Sequence, residues 1–369
     1  MKSKSSQKAG DNANQYHTEE GDINVGHTDL EVVVAVVNSQ MNSRLEDIAI
    51  EKFRSIAYEV ASERIKSLSK KTIERFRERP ELFDAFEDPD FTFLLGDASR
   101  VTASSGQAYT EELLVDLLIN RAEQKESLKV RLMTSKAIAA ADKLSLDALN
   151  GLTANWALGR LYNDNVNFEV RYQGHISLWS TLVSSIALPT DNEWLEDLEV
   201  LGLSQFPDKN TLTRKSFDEF AIDRFSIFLV EGFTKADIEE LITAVPADLN
   251  IWSYIAHHPF IENRFILSVE NGDSLKDKIG RADLPAIDEL IALNKFGILS
   301  QDAKDKYLAK LSEEAVYNSV KQWWDNLPVI TTNLVGDVIA YVNIKRFIAL
   351  PETKNIEELI KLTSTKRHK

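Results

Sequence analysis

From Ser43 to Arg79, side chains that can share one helical face recur at spacings of three and four. Leu45, Ala49, Phe53, Ile56, Val60, Arg64 and Leu68 form one row, and Ile48, Ala57, Ala61, Ile65 and Phe76 widen it. Such a period is the mark of a helix with one buried face. Pro80 ends the run, because its ring cannot continue a helix. The spacing predicts one long amphipathic helix over 43–79, roughly 50 Å in length at the standard rise. The stripe of so long a helix has to be buried, either by the rest of the chain or by copies of it. It is too wide for a two-stranded coiled-coil seam, which favours burial within the domain. An all-α bundle is the fold class this implies.

The rest of the chain agrees with that frame. Only 14 Gly and 9 Pro punctuate 369 residues, so the regular elements are long. Thr28-Asp29 reads as a helix start ahead of LEVVVAVV, although the valines leave a strand over 30–37 as an alternative. Asp88-Pro89 reads as a helix cap followed by a first-turn proline. Helices are expected over Thr110–Ala122, Ser127–Lys143, Ser145–Leu161 and Gln173–Leu188, with 162–170 as a polar connection. Residues 28–188 therefore read as a helical bundle.

Residues 189–350 read as a second helical domain with winged-helix-like features. Two blocks share an order there: an apolar helix ending in L-G-L (201–203) or F-G-I-L (296–299), a polar insertion, a Thr-initiated segment and a closing helix. Gly202 and Gly297 sit where a C-terminal cap glycine belongs, and Thr332 where an N-cap could stand. Residues 351–369 give one short helix, NIEELIKL, and a basic tail.

The first 27 residues stand apart. Residues 1–9 are polar and basic and read as a disordered tail. The head that follows, GDNANQYHTEEGDINVG, repeats Gly-Asp eleven residues apart and alternates polar with small or apolar side chains. Ile23 and Val25 fall on one face of a short strand, and Asp22 and Asn24 on the other. Strands this short are not stable alone. The favoured reading is a strand completed by other copies of the chain through Asp11, Asn12, Asn14, Gln15, Asp22, Ile23, Asn24 and Val25, with stacked Asn side chains forming ladders. A free tail is the alternative. A metal loop of Asp11, Asp22 and Asn24 lacks the dense acidic spacing and terminal Glu of a calcium site.

Familiar catalytic chemistry is sparse. With no cysteine, disulfides, thiolate catalysis and Cys-based zinc sites are ruled out. The six histidines form no H-x-x-x-H pair, and His257-His258 beside aromatic residues reads as structural. No phosphate-cradling glycine loop or nucleophile elbow occurs. Acid clusters at 111–116, 191–197 and 218–223 read as solvated helix starts. NFEVRY (167–172) offers Glu169 but no following lysine, a poor match to a nuclease strand. No catalytic residue, cofactor or metal ligand is assigned. Trp323-Trp324 point about 100° apart on a helix, so one belongs in the core and the other is a candidate for an interface.

A net charge of −15 argues against general nucleic-acid binding, which needs surplus Lys and Arg. The N-terminus has no apolar signal core and no segment is long enough to span a membrane, so a cytoplasmic setting is expected.

The head, GDNANQ…EEGDINVGHT, resembles the short GDN…GGD-type head that precedes many uncharacterised bacterial proteins, several linked to phage defence. The likeness continues through the long helix, the DPDF segment and LLVDLLINRA. LEDLEVLGL (195–203) and, more loosely, ITTNLVGDVIAYVN (330–343) resemble helical abortive-infection-type proteins. Thr331-Thr332-Asn333 and Phe296-Gly297-Ile298 depart from that pattern. The resemblance implies a non-enzymatic sensor or adaptor that forms homo-oligomers, trimers or larger, acting with a separately encoded defence partner or a phage protein. The alternatives are an effector enzyme such as a nuclease, or a DNA-binding regulator.

Overall fold

A computed structural model of the chain describes residues 30–47, 56–124, 127–161, 163–207, 212–244, 249–280 and 285–350. The head residues Asp11, Asn12, Asn14, Gln15, Asp22, Ile23, Asn24 and Val25 lie outside these, as does the short helix expected after residue 350. The fold is all-α, a helical bundle with a few short strands.

The first two helices correct the expected single rod over 43–79. They are α1 (Leu30–Asp47) and α2 (Ile56–Glu78). The Ser69 hydroxyl donates to Asn38 Oδ1 at 2.9 Å. In one straight helix those residues would stand about 45 Å apart, so α1 and α2 lie side by side as a hairpin. The valine run is helical because Val33, Val37 and Met41, four residues apart, are fully buried. Burial outweighs the weak helix preference of valine.

A 3₁₀ segment (Pro80–Glu87) leads into α3 (Pro89–Ser105), α4 (Ala108–Glu123), α5 (Leu128–Ala140), α6 (Leu146–Arg160) and α7 (Phe168–Thr181). Phe76, Phe86 and Phe91 meet edge to face around the first corner, with centroids 4.9–5.9 Å apart. Asp88 caps α3 and binds Arg121 at 2.6 Å and Arg131 at 3.2 Å. NFEVRY is the start of α7 and forms no strand, with Glu169 accepting from Gln173 at 2.9 Å. The helix expected from Gln173 thus begins five residues earlier. It ends in one π-helical turn, Leu182–Ile186, followed by Ala187 at φ +58°.

Next come α8 (Trp194–Val200), β1 (Ser204–Gln205), α9 (Phe217–Phe225), β2 (Phe233–Thr234), α10 (Lys235–Ala244), β3 (Ile255–His257) and β4 (Arg264–Leu267). The chain continues through α11 (Gly272–Ile279), α12 (Pro285–Asn294), α13 (Gln301–Ser312), α14 (Ala315–Asp325), β5 (Thr331–Thr332) and α15 (Leu334–Ile344). Three of the strands form an antiparallel sheet in the order β2-β4-β3, with α10 following β2. Among the described residues, one 3₁₀ turn, Ile251–Tyr254, stands between α10 and β3, where a winged helix would carry its third helix. Phe233, Ile238, Leu267 and Ile287 belong to a small core of their own beneath this sheet.

The main core does not divide at residue 188. It runs continuously from Val33 to Ile344. Helix α15 is buried at every position from Gly336 to Ile344 and packs among α4, α5 and α6 of the first bundle. Asn343 donates to Thr153 Oγ1 at 2.9 Å within that contact.

The two similar sequence blocks are also interlocked. Gly202, at φ +62°, closes α8 in a Schellman turn: its N–H donates to Glu199 O and that of Leu203 to Leu198 O. Strand β1 then pairs with β5 of the other block, Ser204 opposite Thr332. Leu299, after Gly297, bridges back to Val230. The cap of α15 is Asn333, one residue beyond the expected Thr332. Its Oδ1 accepts from Val335 and Gly336 at 2.9 Å, and its amide donates to Gly202 O.

Candidate functional site

The adjacent indoles of α14 lead to two different cavities. Trp323 and Trp324 are 8% and 7% exposed, so both are buried in the core. Successive helix positions diverge by about 100°, and each indole finds its own wall. Trp323 stacks on Trp194, with centroids 6.2 Å apart and planes 15° apart. Trp194 in turn lies over Gly151, where a Cβ would come within 2.6 Å of the ring. Trp324 packs on Phe220 at 4.7 Å and donates its indole N–H to Lys215 O at 2.9 Å.

Trp324 also carries Arg214, whose guanidinium carbon stands 3.5 Å from the ring centroid. Arg214 precedes α9, which starts in a capping box between Ser216 and Glu219. It donates from Nη1 to Pro328 O at 2.9 Å and from Nη2 to Asn155 Oδ1 at 3.1 Å. Its Nε–H is buried without an acceptor. Both partners are neutral, and among the described residues no carboxylate lies within ion-pair distance of Arg214. Burial pushes the guanidinium down to about 10, and Asp325 opposes that only in part. Asp325 is itself engaged, accepting from the Phe217 N–H at 2.7 Å and facing Lys321 at 3.1 Å.

Arg214 and Trp324 form part of the wall of a cavity of about 320 Å³. The polar wall is Asn155, Arg160, Thr213, Arg214, Thr331 and Thr332; Trp156, Leu212, Val329 and Ile330 make the apolar side. Arg160, the last residue of α6, stands 3.8 Å from Asp337, which also accepts from the Thr332 hydroxyl. Arg224 ties down the same helix end through Leu158 O and Gly159 O. The cavity thus sits where α6, the chain before α9, and β5 converge.

Two other cavities differ in character. One of about 540 Å³ lies beside Trp323 and is lined by Val183, Leu188, Pro189, Asp191 and side-chain amides, with no Lys or Arg. Another, of about 240 Å³, lies between α2, α4 and α15. There Glu123 binds both Arg79 and Lys345, and Arg346 stands 3.3 Å from Asp116. Burial pushes the Asp116 carboxyl up to about 6. Each cation of that wall faces a carboxylate within ion-pair distance, unlike Arg214.

The remaining sequence candidates have structural roles. Glu111 and Glu112 bind Lys71, and Asp218 binds Lys321 at 2.7 Å. His258 accepts from the Phe260 and Ile261 N–H groups at Nδ1, so Nε2 carries the proton donated to Val230 O at 2.9 Å. Burial holds its pKa below the ordinary value. Among the described residues no group of three or more His, Asp or Glu could hold a metal ion, and no helix is long and apolar enough to cross a membrane.

A protein-family model described only as ":-like" matches residues 47–355. The chain belongs to that family. Its matched span starts at the end of α1 and leaves the head outside. No curated protein and no solved structure matches the chain.

Sequence reasoning singled out the tryptophan pair but missed Arg214 and Arg160. In sequence, Arg214 is one basic residue after a polar loop, and nothing local shows that it has no carboxylate within ion-pair distance.

Proposed function

We propose that this chain is a non-enzymatic sensor or adaptor, and that the Arg214 cavity is where it takes a small-molecule signal. The observation that carries this reading is a half-buried cation, without an ion-pair partner among the described residues, in the wall of a ligand-sized cavity. The cavity's polar groups are guanidinium, amide and hydroxyl. These bind and orient a ligand, and none is a general base near neutral pH.

The wider setting rests on the resemblance of the head and of the LEDLEVLGL segment. On that basis the protein acts in the bacterial cytoplasm in antiphage defence, through abortive infection. It assembles through Asp11, Asn12, Asn14, Gln15, Asp22, Ile23, Asn24 and Val25 into trimers or larger homo-oligomers, and meets a separately encoded defence partner or a phage protein. The net charge of −15 supports protein and small-molecule partners over nucleic acid.

The test is the solution mass of the full chain beside that of a chain starting at Thr28. A trimer or larger that becomes a monomer on truncation supports assembly through the head. Two monomers overturn it. Saturable small-molecule binding to the full chain tests the sensing site separately.

A further inference from the structure

The charge balance around the cavity narrows what it can hold. Arg214 has five N–H donors and uses two, on neutral acceptors. The positive charge of its half-buried guanidinium therefore stays without an ion pair where it is partly withdrawn from water, which is costly. Arg160 contributes a second guanidinium to the same wall, held to Asp337 only at 3.8 Å. Hydroxyls of Thr213 and Thr331 stand on the same wall. A volume of about 320 Å³ exceeds the needs of an inorganic ion, since one water takes up about 30 Å³. The apolar side, with Leu212, Val329 and Ile330, calls for carbon. A polymeric anion is disfavoured by the field of a chain carrying −15.

We infer that the cavity is a receptor for a small organic oxyanion, its charged oxygens set between Arg160 and Arg214 and its apolar part against Leu212, Val329 and Ile330. The inference rests on the reading of this cavity as the sensing site, and it supplies the chemical class of the signal. An oxyanion there completes a counter-charge the fold leaves open. It also competes with Asp337 for Arg160, which links the ligand to α15 and so to the middle of the first bundle.

Three probes of similar size test this on the full chain: benzoate and phenyl phosphate, which carry the charge, and benzamide, which does not. The readouts are a saturable rise in the thermal midpoint and a change in tryptophan fluorescence. Two rim variants separate charge from shape, Leu212→Glu and Leu212→Gln. Leu212 is 52% exposed, so both should fold. The oxyanions are expected to bind and benzamide to fail, with Leu212→Glu weakening the oxyanions about fivefold or more relative to Leu212→Gln. Benzamide binding as tightly as benzoate, or equal affinities in the two variants, overturns the oxyanion class and leaves the cavity as a sensing site. No saturable response to any probe up to about 10 mM overturns both readings.

Discussion

Arg214 lies over the indole of Trp324, 3.5 Å from the ring centroid, and the same indole packs on Phe220 with centroids 4.7 Å apart. The cation is held by a ring and two neutral oxygens, and the stack joins the start of α9 to the end of α14. Truncating Trp324 should therefore do more than open a hole. Trp324→Ala is expected to cost about 3–5 kcal/mol. Trp324→Phe keeps a ring under Arg214 but removes the donor to Lys215 O, and should cost about 1–2 kcal/mol. Urea unfolding of the two variants checks the order.

The tight seat of α15 gives a second expectation. A Cβ on Gly336 would stand 2.7 Å from the Leu203 carbonyl oxygen, and backbone cannot yield as a flexible side chain can. Gly336→Ala should lose about 1–3 kcal/mol despite the better helix propensity of alanine. A rise in thermal midpoint would show that the α8–β1 corner is not fixed against α15.

Asn333 works on both sides of that corner, capping α15 and donating to Gly202 O. Asn333→Ala should cost about 1–2 kcal/mol or slightly more, the upper end of a cap loss. Asn333→Asp keeps the cap acceptor and loses the donor, so its midpoint should fall between parent and Ala. Thermal melts of the three chains decide.

The Asp116 carboxyl predicts a pH dependence. Burial raises it to about 6 from an ordinary 3.8, Glu112 adds to the rise, and Arg346, Arg75 and Lys345 oppose it. The folded chain thus holds this proton more tightly than the unfolded chain. Between about pH 4 and pH 6 the folded state binds more protons, so this group's contribution to stability falls as pH rises through that window. Asp116→Asn removes the titration. Relative to the parent, the variant should gain about 1–3 kcal/mol on going from about pH 4 to pH 7.5. Urea midpoints across that range read the difference directly; a constant offset would count against the assignment.

Much of the helical frame was legible because local signals carried it. Asp88-Pro89, the serines before α5 and α6, and Gly202 all sit at the boundaries their chemistry demands. The hairpin of α1 and α2 was not legible, since periodicity reports which face is buried and not whether the axis is continuous. Burial of Val33 and Val37 settled the valine run, and that is tertiary information. The same holds at the cavity. The tryptophans announced themselves by adjacency, whereas Arg214 became distinctive only when Asn155, Pro328 and Trp324 were gathered from three parts of the chain. Likewise, the two similar blocks looked like separate units until β1 paired with β5.

The seat of α15 inside the first bundle also has a consequence for synthesis. A nascent chain emerging from the ribosome can form α4, α5 and α6 early, yet the helix that fills the space among them is translated some two hundred positions later. Until then the surfaces that α15 covers, including the one around Thr153, stay open to water and to chaperones.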